Sequence, residues 1–531
     1  MVKGPSKRLI GLGVLPALFL GVFFGWPIAA VLARGLTGDS LARLFEARTF
    51  DLLWFTTWQA GLSTLLTFAI GLPGAWALSR PFRGAALFRT AMTVAFVLPT
   101  VVVAAAFDSL GRTGLAWSPR GLAAVLGAHV FFNYAIVARV VGAAWARVPA
   151  ETREMARSLG HGPTSTFFRV DLPLLRPALA AAASIVFLFT FTSFGVVLIL
   201  GGFTLNTLEV EIWRRTLHLL DFDGAAALAL LQMVAVIAGL VAWSRFQKGA
   251  GSDTGPTSTP PTRWSVRTMA LLPGVVVVGL PVIVLVWRSL STEEGLALTW
   301  FRALGTQRRG LTDFVSPGAA IANSLGFAAS AASVALLVGG AAAMAISRRQ
   351  GRASTRALDA ALMLPLGTSA VTLGFGMLIA FHSAPLDLRG QAVLVPLAHA
   401  LVGIPFVVRI LVPALRALPP GFHEAARTLG MGAARARLRI DLPLVSPAVA
   451  VGASFAAAVS LGEFGATSFL SRPDSATVPI ALFRLLGRPG AANQGQAYAL
   501  AVILMGLVAL VVLVAGAADA VTYRRQRRRR D

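Results

Sequence analysis

Cysteine is absent from the 531 residues of the chain, and lysine nearly so. The lack of cysteine excludes disulfide bonds, thiolate nucleophiles and metal sites with cysteine ligands. A nucleotide-binding P-loop needs a lysine followed by serine or threonine, because the lysine and the backbone amides hold phosphates. The three lysines are Lys3, Lys7 and Lys248, and Lys248 is followed by Gly249. We therefore expect no ATP hydrolysis by this chain and identify no catalytic residue.

Histidine is also scarce, and its spacing does not suit a metal site. The six histidines form no pair at the i, i+4 spacing that places two ligands on one helix face. We therefore expect no metal and no cofactor. His129 and His399 stand at equivalent places near the start of a predicted span, and we expect them to pack at an interface rather than to contact a solute.

Charged residues make up only 13% of the chain, whereas hydrophobic residues make up 56%. Soluble domains are about one quarter charged. Apolar runs long enough to cross a bilayer, about 18 residues or more, recur along the whole length. The sequence therefore predicts an all-α integral membrane protein with a retained first helix. We place twelve spans at about 10–34, 52–79, 88–110, 121–147, 178–200, 224–245, 268–290, 317–346, 357–382, 391–416, 446–470 and 496–519.

The formal net charge of +24 could indicate nucleic-acid binding, but the arginines lie in short clusters between the apolar spans. Alternate loops rich in arginine are what the positive-inside rule predicts for the cytoplasmic face. Both termini and the middle of the chain fall on that face, and the opposite loops carry more acidic residues. We therefore predict a multi-pass protein of the bacterial inner membrane, with both termini cytoplasmic and no nucleic-acid partner.

The two halves of the chain are an internal repeat. An offset of 270 residues relates His129 to His399, Pro173 to Pro443 and Phe194 to Phe464. Both halves have the same number of spans in the same orientation, so the repeat is parallel, about an axis along the membrane normal. We divide the chain into a first transmembrane domain, 1–246, a Gly/Ser/Thr/Pro-rich flexible linker, 247–266, and a second transmembrane domain, 267–531.

The strongest local motif is the cytoplasmic loop that follows the fourth span of each half. Its pattern is Glu, two mostly small residues, three further residues and Gly, with a proline thirteen residues later. Each copy reads as a short amphipathic helix that ends at a glycine, where a left-handed C-cap carries no steric cost. The small residues permit close approach by a partner. The motif residues are Glu154, Ala156 and Gly160 in the first copy, and Glu424, Ala425, Ala426 and Gly430 in the second.

This pattern resembles the EAA loop of binding-protein-dependent ABC importers, which docks on the ATP-hydrolysing subunit. The first copy departs from the pattern at Met155. The resemblance implies the type I transmembrane fold of these importers. It also implies an ATP-binding subunit, expected in two copies because the chain carries two loops, and a periplasmic or lipid-anchored substrate-binding protein. The lipid bilayer is the remaining expected partner.

Longer segments narrow the resemblance. Residues 128–140, 192–202, 207–217, 227–233 and 460–470 look like fused thiamine importer permeases, and duplicated ferric-iron permeases share the architecture. The Leu-Gly-Glu-Phe-Gly element around Glu463 is similar to sulfate and molybdate permeases as well, so it marks the superfamily rather than the solute. An ion-coupled secondary transporter with two six-helix halves is the alternative from another class, but such a carrier needs no docking loops.

Three residues are candidates for the translocation pathway: Phe194, Glu463 and Phe464. Glu463 lies in an apolar span, where a carboxylate is costly and indicates function unless it pairs structurally, with Arg409 or with a helix end. The phenylalanines could face a flat cation or could be packing residues. Acidic external loops would concentrate cations at an entrance. We therefore favour thiamine or a related organic cation as the solute, with ferric iron as the alternative.

Overall fold

A computed structural model describes residues 7–113, 120–202, 204–247, 264–305, 316–348, 353–382, 386–388, 390–419 and 421–527. Most of the predicted linker, residues 248–263, lies outside the described residues. The first repeat forms α1 (Lys7–Leu20), a π-helical segment π1 (Gly21–Gly25), α2 (Trp26–Gly35), α3 (Gly38–Arg43), α4 (Ala47–Leu78), α5 (Ala85–Val97), α6 (Thr100–Gly111), α7 (Leu122–Trp145), α8 (Ala150–Ser158), α9 (Pro163–Thr166), π2 (Phe167–Asp171), α10 (Leu172–Phe191), α11 (Gly195–Leu200), α12 (Leu208–Leu217) and α13 (Phe222–Gln247).

The second repeat repeats this order and adds a short hairpin, in which Ser291 pairs with Leu296 and Thr292 with Gly295. Its elements are α14 (Trp264–Leu290), β1 (Ser291–Thr292), β2 (Gly295–Leu296), α15 (Thr299–Ala303), α16 (Pro317–Arg348), α17 (Ala353–Gly367), α18 (Ala370–Ala380), α19 (Leu394–Arg416), α20 (Gly421–Thr428), α21 (Ala433–Ala436), π3 (Arg437–Asp441), α22 (Leu442–Gly462), α23 (Thr467–Leu470), α24 (Val478–Leu486) and α25 (Ala491–Arg527).

The all-α membrane architecture predicted from the sequence is confirmed. Among the described residues, ten helical stretches are long and apolar enough to cross a membrane, and the number rises to 12 when two bent helix pairs count as one span each. The bent pairs are α5 with α6 and α17 with α18, and each bends by 100°. The sequence treated each pair as one continuous span.

The bends have local causes. Between α5 and α6, Leu98 precedes Pro99, and both residues have extended backbone angles. The residue before a proline is disfavoured in the helical region, so the helix ends there. At the second bend, the Ser369 side chain accepts hydrogen bonds from the backbone N–H groups of Val371 and Thr372, and so caps the start of α18.

The chain forms two compact units that do not coincide with the repeats. One unit comprises Met1–Leu36, Arg302–Arg484 and Ile503–Asp531, and the other comprises Thr37–Phe301 and Leu485–Val502. In the first unit, α1 packs on α16 and α2 on α18. In the second, α14 packs on α4 and α6. The first helix of each repeat therefore packs with helices of the other repeat, while the division at 247–266 stays a prediction about the sequence repeat.

Glycines allow this close packing in the second unit. Tyr134, on α7, is fully buried between Gly74 of α4 and Gly274 of α14. A Cβ atom at Gly74 would lie 2.1 Å from the Tyr134 hydroxyl oxygen, and one at Gly274 would lie 2.0 Å from Cζ of the same ring. Any side chain at either glycine would therefore push the helices apart.

Substitution Gly274→Val should lower the thermal unfolding midpoint of the purified chain, because overpacking a close helix contact costs about 1–3 kcal/mol. The matched control is Gly279→Val, on the same helix, where a Cβ atom meets nothing within 4 Å. Differential scanning fluorimetry in detergent measures both variants. Equal midpoints for the two variants would contradict this account of the packing.

Candidate functional site

The two predicted motif loops form the same turn. In the first, α8 is followed by Gly160 at a φ of 81°, and in the second, α20 is followed by Gly430 at a φ of 71°. The N–H of Gly160 donates to the carbonyl of Arg157 at 2.9 Å, and the N–H of His161 donates to that of Ala156 at 3.0 Å. These two bonds are the Schellman pattern that ends a helix at a left-handed residue.

The second loop repeats both bonds. Gly430 donates to Arg427 at 3.0 Å, and Met431 donates to Ala426 at 2.8 Å. A further short helix and a π-helical segment then lead into the next span, through α9 and π2 in the first repeat and through α21 and π3 in the second. Pro163 occupies the first turn of α9, where its missing N–H leaves no helical hydrogen bond unmade. Both repeats therefore contain the predicted short helix that ends at a glycine. We call this element the knob; it comprises residues 150–160 in the first repeat and 421–430 in the second.

The small residues of each knob were expected to permit close approach by a partner, and the structure differs from this expectation. Ala156 and Ala426 are buried within the chain, so their small side chains serve close packing of the knob on its own unit rather than on a partner. Glu154, Glu424 and Ala425 are exposed. The outward face also presents apolar side chains that the sequence analysis missed: Leu159 is 78% exposed and Leu429, its equivalent, is 82% exposed.

A buried ion pair holds the first knob in place. Nε of Arg153, on α8, donates to Oδ1 of Asp171, at the end of π2, at 2.8 Å. A second nitrogen of the same guanidinium donates to the carbonyl of Trp145 at 3.4 Å. The residue equivalent to Arg153 in the second repeat is His423, so this guanidinium–carboxylate pair belongs to the first knob.

Glu463 lies where the span that begins with α22 breaks, and its carboxylate is engaged by the protein. Its Oε1 accepts from the N–H of Ala466 at 2.8 Å, and its Oε2 accepts from the N–H of Thr467 at 2.9 Å and from the Thr467 hydroxyl. Nε2 of His399 lies 3.2 Å from Oε2. The carboxylate therefore caps the start of α23, which is the helix-end alternative, whereas Arg409 instead contacts the sulfur of Met363.

The two histidines at equivalent positions of the repeats, His129 and His399, form hydrogen bonds at the breaks in the spans. His399 hydrogen-bonds with Ser460 at 2.7 Å and with Thr467 at 2.8 Å. His129 hydrogen-bonds with Ser63 at 2.9 Å through Nδ1 and with Ser193 at 2.9 Å through Nε2. Both rings are buried. Ser193 is equivalent to Glu463, so each histidine binds the same position of the break, but only the second break contains a carboxylate.

The pathway candidates Phe194 and Phe464 are both buried. Each ring packs on an aromatic ring one helix beyond the short helix that follows the break: Phe194 on Trp213 of α12, with ring centroids 6.1 Å apart, and Phe464 on Phe483 of α24, at 5.4 Å. Glu463 and Phe464 lie in one unit, and Phe194 lies in the other. The repeated phenylalanines therefore connect the breaks to α12 and α24, which favours the packing interpretation left open by the sequence.

Sequence reasoning missed another buried carboxylate within a predicted span, Asp108 on α6. Its Oδ2 accepts from Nε of Arg112 at 3.0 Å and from the Tyr498 hydroxyl at 2.8 Å. Asp108 falls within an apolar run, which is the signal that singled out Glu463, so it could have been found. Its equivalent in the second repeat is Leu378.

The acidic loop residues also behave differently from the expectation of a free anionic entrance. Glu209 and Glu211 are buried. Gln232 donates to Glu209, while Arg214 and Arg215 lie 3.0 Å and 3.2 Å from Glu211. The charge of Glu211 is thus compensated by two arginines, and Glu209 is held by an amide inside the chain, so neither carboxylate is a free anionic group at an entrance. Among the described residues, no three His, Asp or Glu side chains are placed to hold a metal ion.

Comparison with known proteins agrees with this architecture. The family described as binding-protein-dependent transport system inner membrane component matches twice, at residues 67–248 and 319–527. A thiamine transport system permease protein of Brucella melitensis is 28% identical over 98% of this chain and 97% of its own length. The corresponding permease protein of Escherichia coli is 26% identical over 97% and 96%.

A probable ABC transporter permease protein of Sinorhizobium fredii is 27% identical over 84% of this chain and 83% of its own length. The two family matches cover most of the chain and place one copy in each repeat, with one knob in each copy. This chain therefore belongs to the family of inner membrane components of binding-protein-dependent transport systems, and it carries two fused copies of the family domain.

Proposed function

We propose that this chain is the permease of an ATP-driven importer whose solute is thiamine or a related organic cation. The observation that supports the solute is similarity along nearly the whole chain to proteins named as thiamine transport permeases. Membership of the family favours an ABC importer over an ion-coupled secondary transporter. Ferric iron remains the competing solute, and the uptake experiment below distinguishes the two.

The partners follow from the two knobs. We infer that each knob docks on one ATP-binding subunit, so that one chain recruits two copies, and that a substrate-binding protein delivers the solute from the opposite face. The exposed Leu159 and Leu429 support this docking, since an exposed apolar side chain with polar residues such as Glu154 and Glu424 around it fits the apolar core and polar rim of a protein interface.

Glu463 acts, in this proposal, by holding the span break rather than by contacting the solute. Both carboxylate oxygens already accept hydrogen bonds from the start of α23. Removing an acceptor from buried N–H groups costs about 1–3 kcal/mol, so the break depends on this side chain. Phe194 and Phe464 take a matching role, since they anchor the breaks to α12 and α24 respectively.

Substitutions Gly160→Asp and Gly430→Asp should reduce the amount of ATP-binding subunit that co-purifies with the chain. A side chain at a positive φ costs about 1–2 kcal/mol and distorts the turn. The matched controls are Gly162→Asp and Gly432→Asp, which add the same charge two residues later, where φ is not positive. Subunit stoichiometry and ATPase rate are measured on the purified complex. Wild-type values in both knob variants would contradict docking at these turns.

Proteoliposomes with the complete complex should take up labelled thiamine and exclude labelled ferric iron. The variant Glu463→Gln should lower both the rate of thiamine uptake and the thermal unfolding midpoint, because it weakens the cap of α23. Glu294→Gln removes an exposed carboxylate and serves as the control. Iron uptake without thiamine uptake would overturn the choice of solute. A slower uptake with an unchanged midpoint would return Glu463 to the pathway.

We propose the orientation from the arginine-rich loops, because the positive-inside rule predicts that both termini and the linker are cytoplasmic. Because the chain contains no cysteine, single cysteines report unambiguously on sidedness. Glu294→Cys should react with a membrane-impermeant thiol reagent in intact cells with a permeabilised outer membrane, whereas Ser252→Cys should react only after lysis. The opposite labelling pattern would show that the chain is inserted the other way.

A further inference from the structure

The turn between α12 and α13 holds a leucine in a conformation that leucine rarely adopts. Leu220 has a φ of 53°, and among the residues that the structure describes it is the only one other than glycine with a positive φ. A left-handed backbone costs free energy at any residue that carries a Cβ atom. The equivalent residue of the second repeat, 270 positions later, is Gly490, with a φ of 105°. The first repeat therefore keeps a leucine where a glycine would strain the backbone less.

This leucine and its neighbour present an apolar surface. Leu219 is 58% exposed and Leu220 is 68% exposed. The second repeat has Pro489 and Gly490 at these positions, so it lacks the pair of leucines. A single exposed leucine needs no explanation, but two that are held outward by a strained backbone indicate contact with another molecule.

The turn is fixed on both sides. The N–H of Asp221 donates to the carbonyl of Arg215 at 2.8 Å, and Oδ1 of Asp221 accepts from the N–H of Gly224 at 3.0 Å, which caps the start of α13. The same carboxylate pairs with Arg43, at the end of α3, and with Arg215, on α12. The two leucines are therefore presented by a preorganised backbone, which lowers the entropy cost of binding a partner.

Arginine side chains form the exposed ends of the ion pairs around this turn. The side chains of Arg43, Arg48 and Arg214 are 37%, 56% and 41% exposed. Their carboxylate partners lie further inside, since the side chain of Glu211 is 1% exposed and that of Asp221 is 27% exposed. Acidic side chains on a partner would complement these guanidinium groups. Ion-paired arginines also favour a position at the aqueous boundary of the membrane over one in hydrocarbon.

The turn and the first knob lie on opposite faces of their unit. The span Pro163–Phe191 follows the knob and crosses once, and the span Phe222–Val241 begins after the turn and crosses back. The proposed function assigns the knob face to the ATP-binding subunits. The face with the turn is therefore the one that a substrate-binding protein would approach, whichever way the chain is inserted.

We propose that Leu219 and Leu220, with the arginines around them, form a docking surface for an acidic patch of the substrate-binding protein. The proposal rests on the proposed function in requiring such a partner, but it does not depend on the solute. A binding protein that delivers one solute at a time docks in one copy. A leucine pair in only one repeat fits a single partner of this kind, whereas the two knobs are alike.

The test measures binding of the purified substrate-binding protein of this transport system to the full chain in complex with its ATP-binding subunits. The variant Leu220→Gly should raise the dissociation constant about tenfold, as loss of one buried leucine from an interface does. The same variant should raise the thermal unfolding midpoint in detergent, because glycine adopts a positive φ without strain. A role in stability alone would not combine weaker binding with a higher midpoint.

Two further variants complete the experiment. The matched control is Leu298→Gly, which removes a leucine that is 54% exposed between β2 and α15, on the face that α14 reaches, and it should bind as the wild type does. Leu219→Ser keeps the backbone of Leu220 and should weaken binding without raising the midpoint.

The possible results separate this surface from the proposed function. Equal dissociation constants for Leu220→Gly and the wild type would overturn the docking surface alone, as would an equal loss of binding in Leu298→Gly. Absence of binding by every form of the complex, the wild type included, would overturn the proposed partner together with the surface. Unchanged binding with a lower unfolding midpoint of Leu220→Gly in lipid nanodiscs would assign the leucines to the bilayer surface instead.

Discussion

The backbone hydrogen bonds of the membrane-spanning helices must all be satisfied within the protein, and this constraint shapes every break in the spans. Hydrocarbon offers no replacement partner, so a span can stop only where side chains supply donors and acceptors. At the second-repeat break, the Glu463 carboxylate takes the N–H groups of Ala466 and Thr467, and His399 binds the same carboxylate. The break therefore requires an acceptor side chain at this position, and Glu463 supplies it.

The same constraint explains why small residues accompany the breaks. A bent span brings neighbouring backbones close, and the contact then requires residues without a side chain. A Cβ atom at Gly374, on α18, would lie 2.6 Å from Cα of Ala466, next to the second-repeat break. A Cβ atom at Gly376 would lie 3.0 Å from the carbonyl oxygen of Pro27, on α2. Bending and close packing are thus linked in the unit that holds α2 and α18.

Particular residues show how far the sequence predicts this molecule. The apolar runs, the internal repeat and the glycine-terminated knobs were predictable from the sequence. The length of an apolar run and a left-handed C-cap at glycine are both local properties of the chain. The bend at Pro99 was predictable in principle and was missed, because the hydrophobic run continues across it. The fifth span was predicted at 178–200, but it starts as early as Pro163 and breaks after Phe191. Hydropathy does not reveal a break whose free backbone groups are capped by polar side chains.

Contacts between residues far apart in the sequence could not be predicted from the sequence. The burial of Ala156 depends on how α8 lies on its own unit, and motif spacing cannot give this direction. The pairing of Asp108 with Tyr498 joins residues 390 positions apart. Hydropathy likewise does not indicate that the first helix of each repeat packs on helices of the other repeat. Of the candidate site, the sequence therefore predicted the knobs and singled out Glu463, but it predicted neither the breaks in the spans nor the partners of these side chains.

The two repeats are alike in some places and different in others, and the difference follows a physical logic. The knobs match closely: both end at a glycine with positive φ, and both expose a leucine after the helix. Two copies of one ATP-binding subunit would require this likeness, since each copy offers the same surface. The interior polar groups do not match, because Glu463 is equivalent to Ser193 and Asp108 to Leu378. A single solute has no two-fold symmetry to respect, so the fused chain can hold different charges in its two halves while its two knobs stay alike.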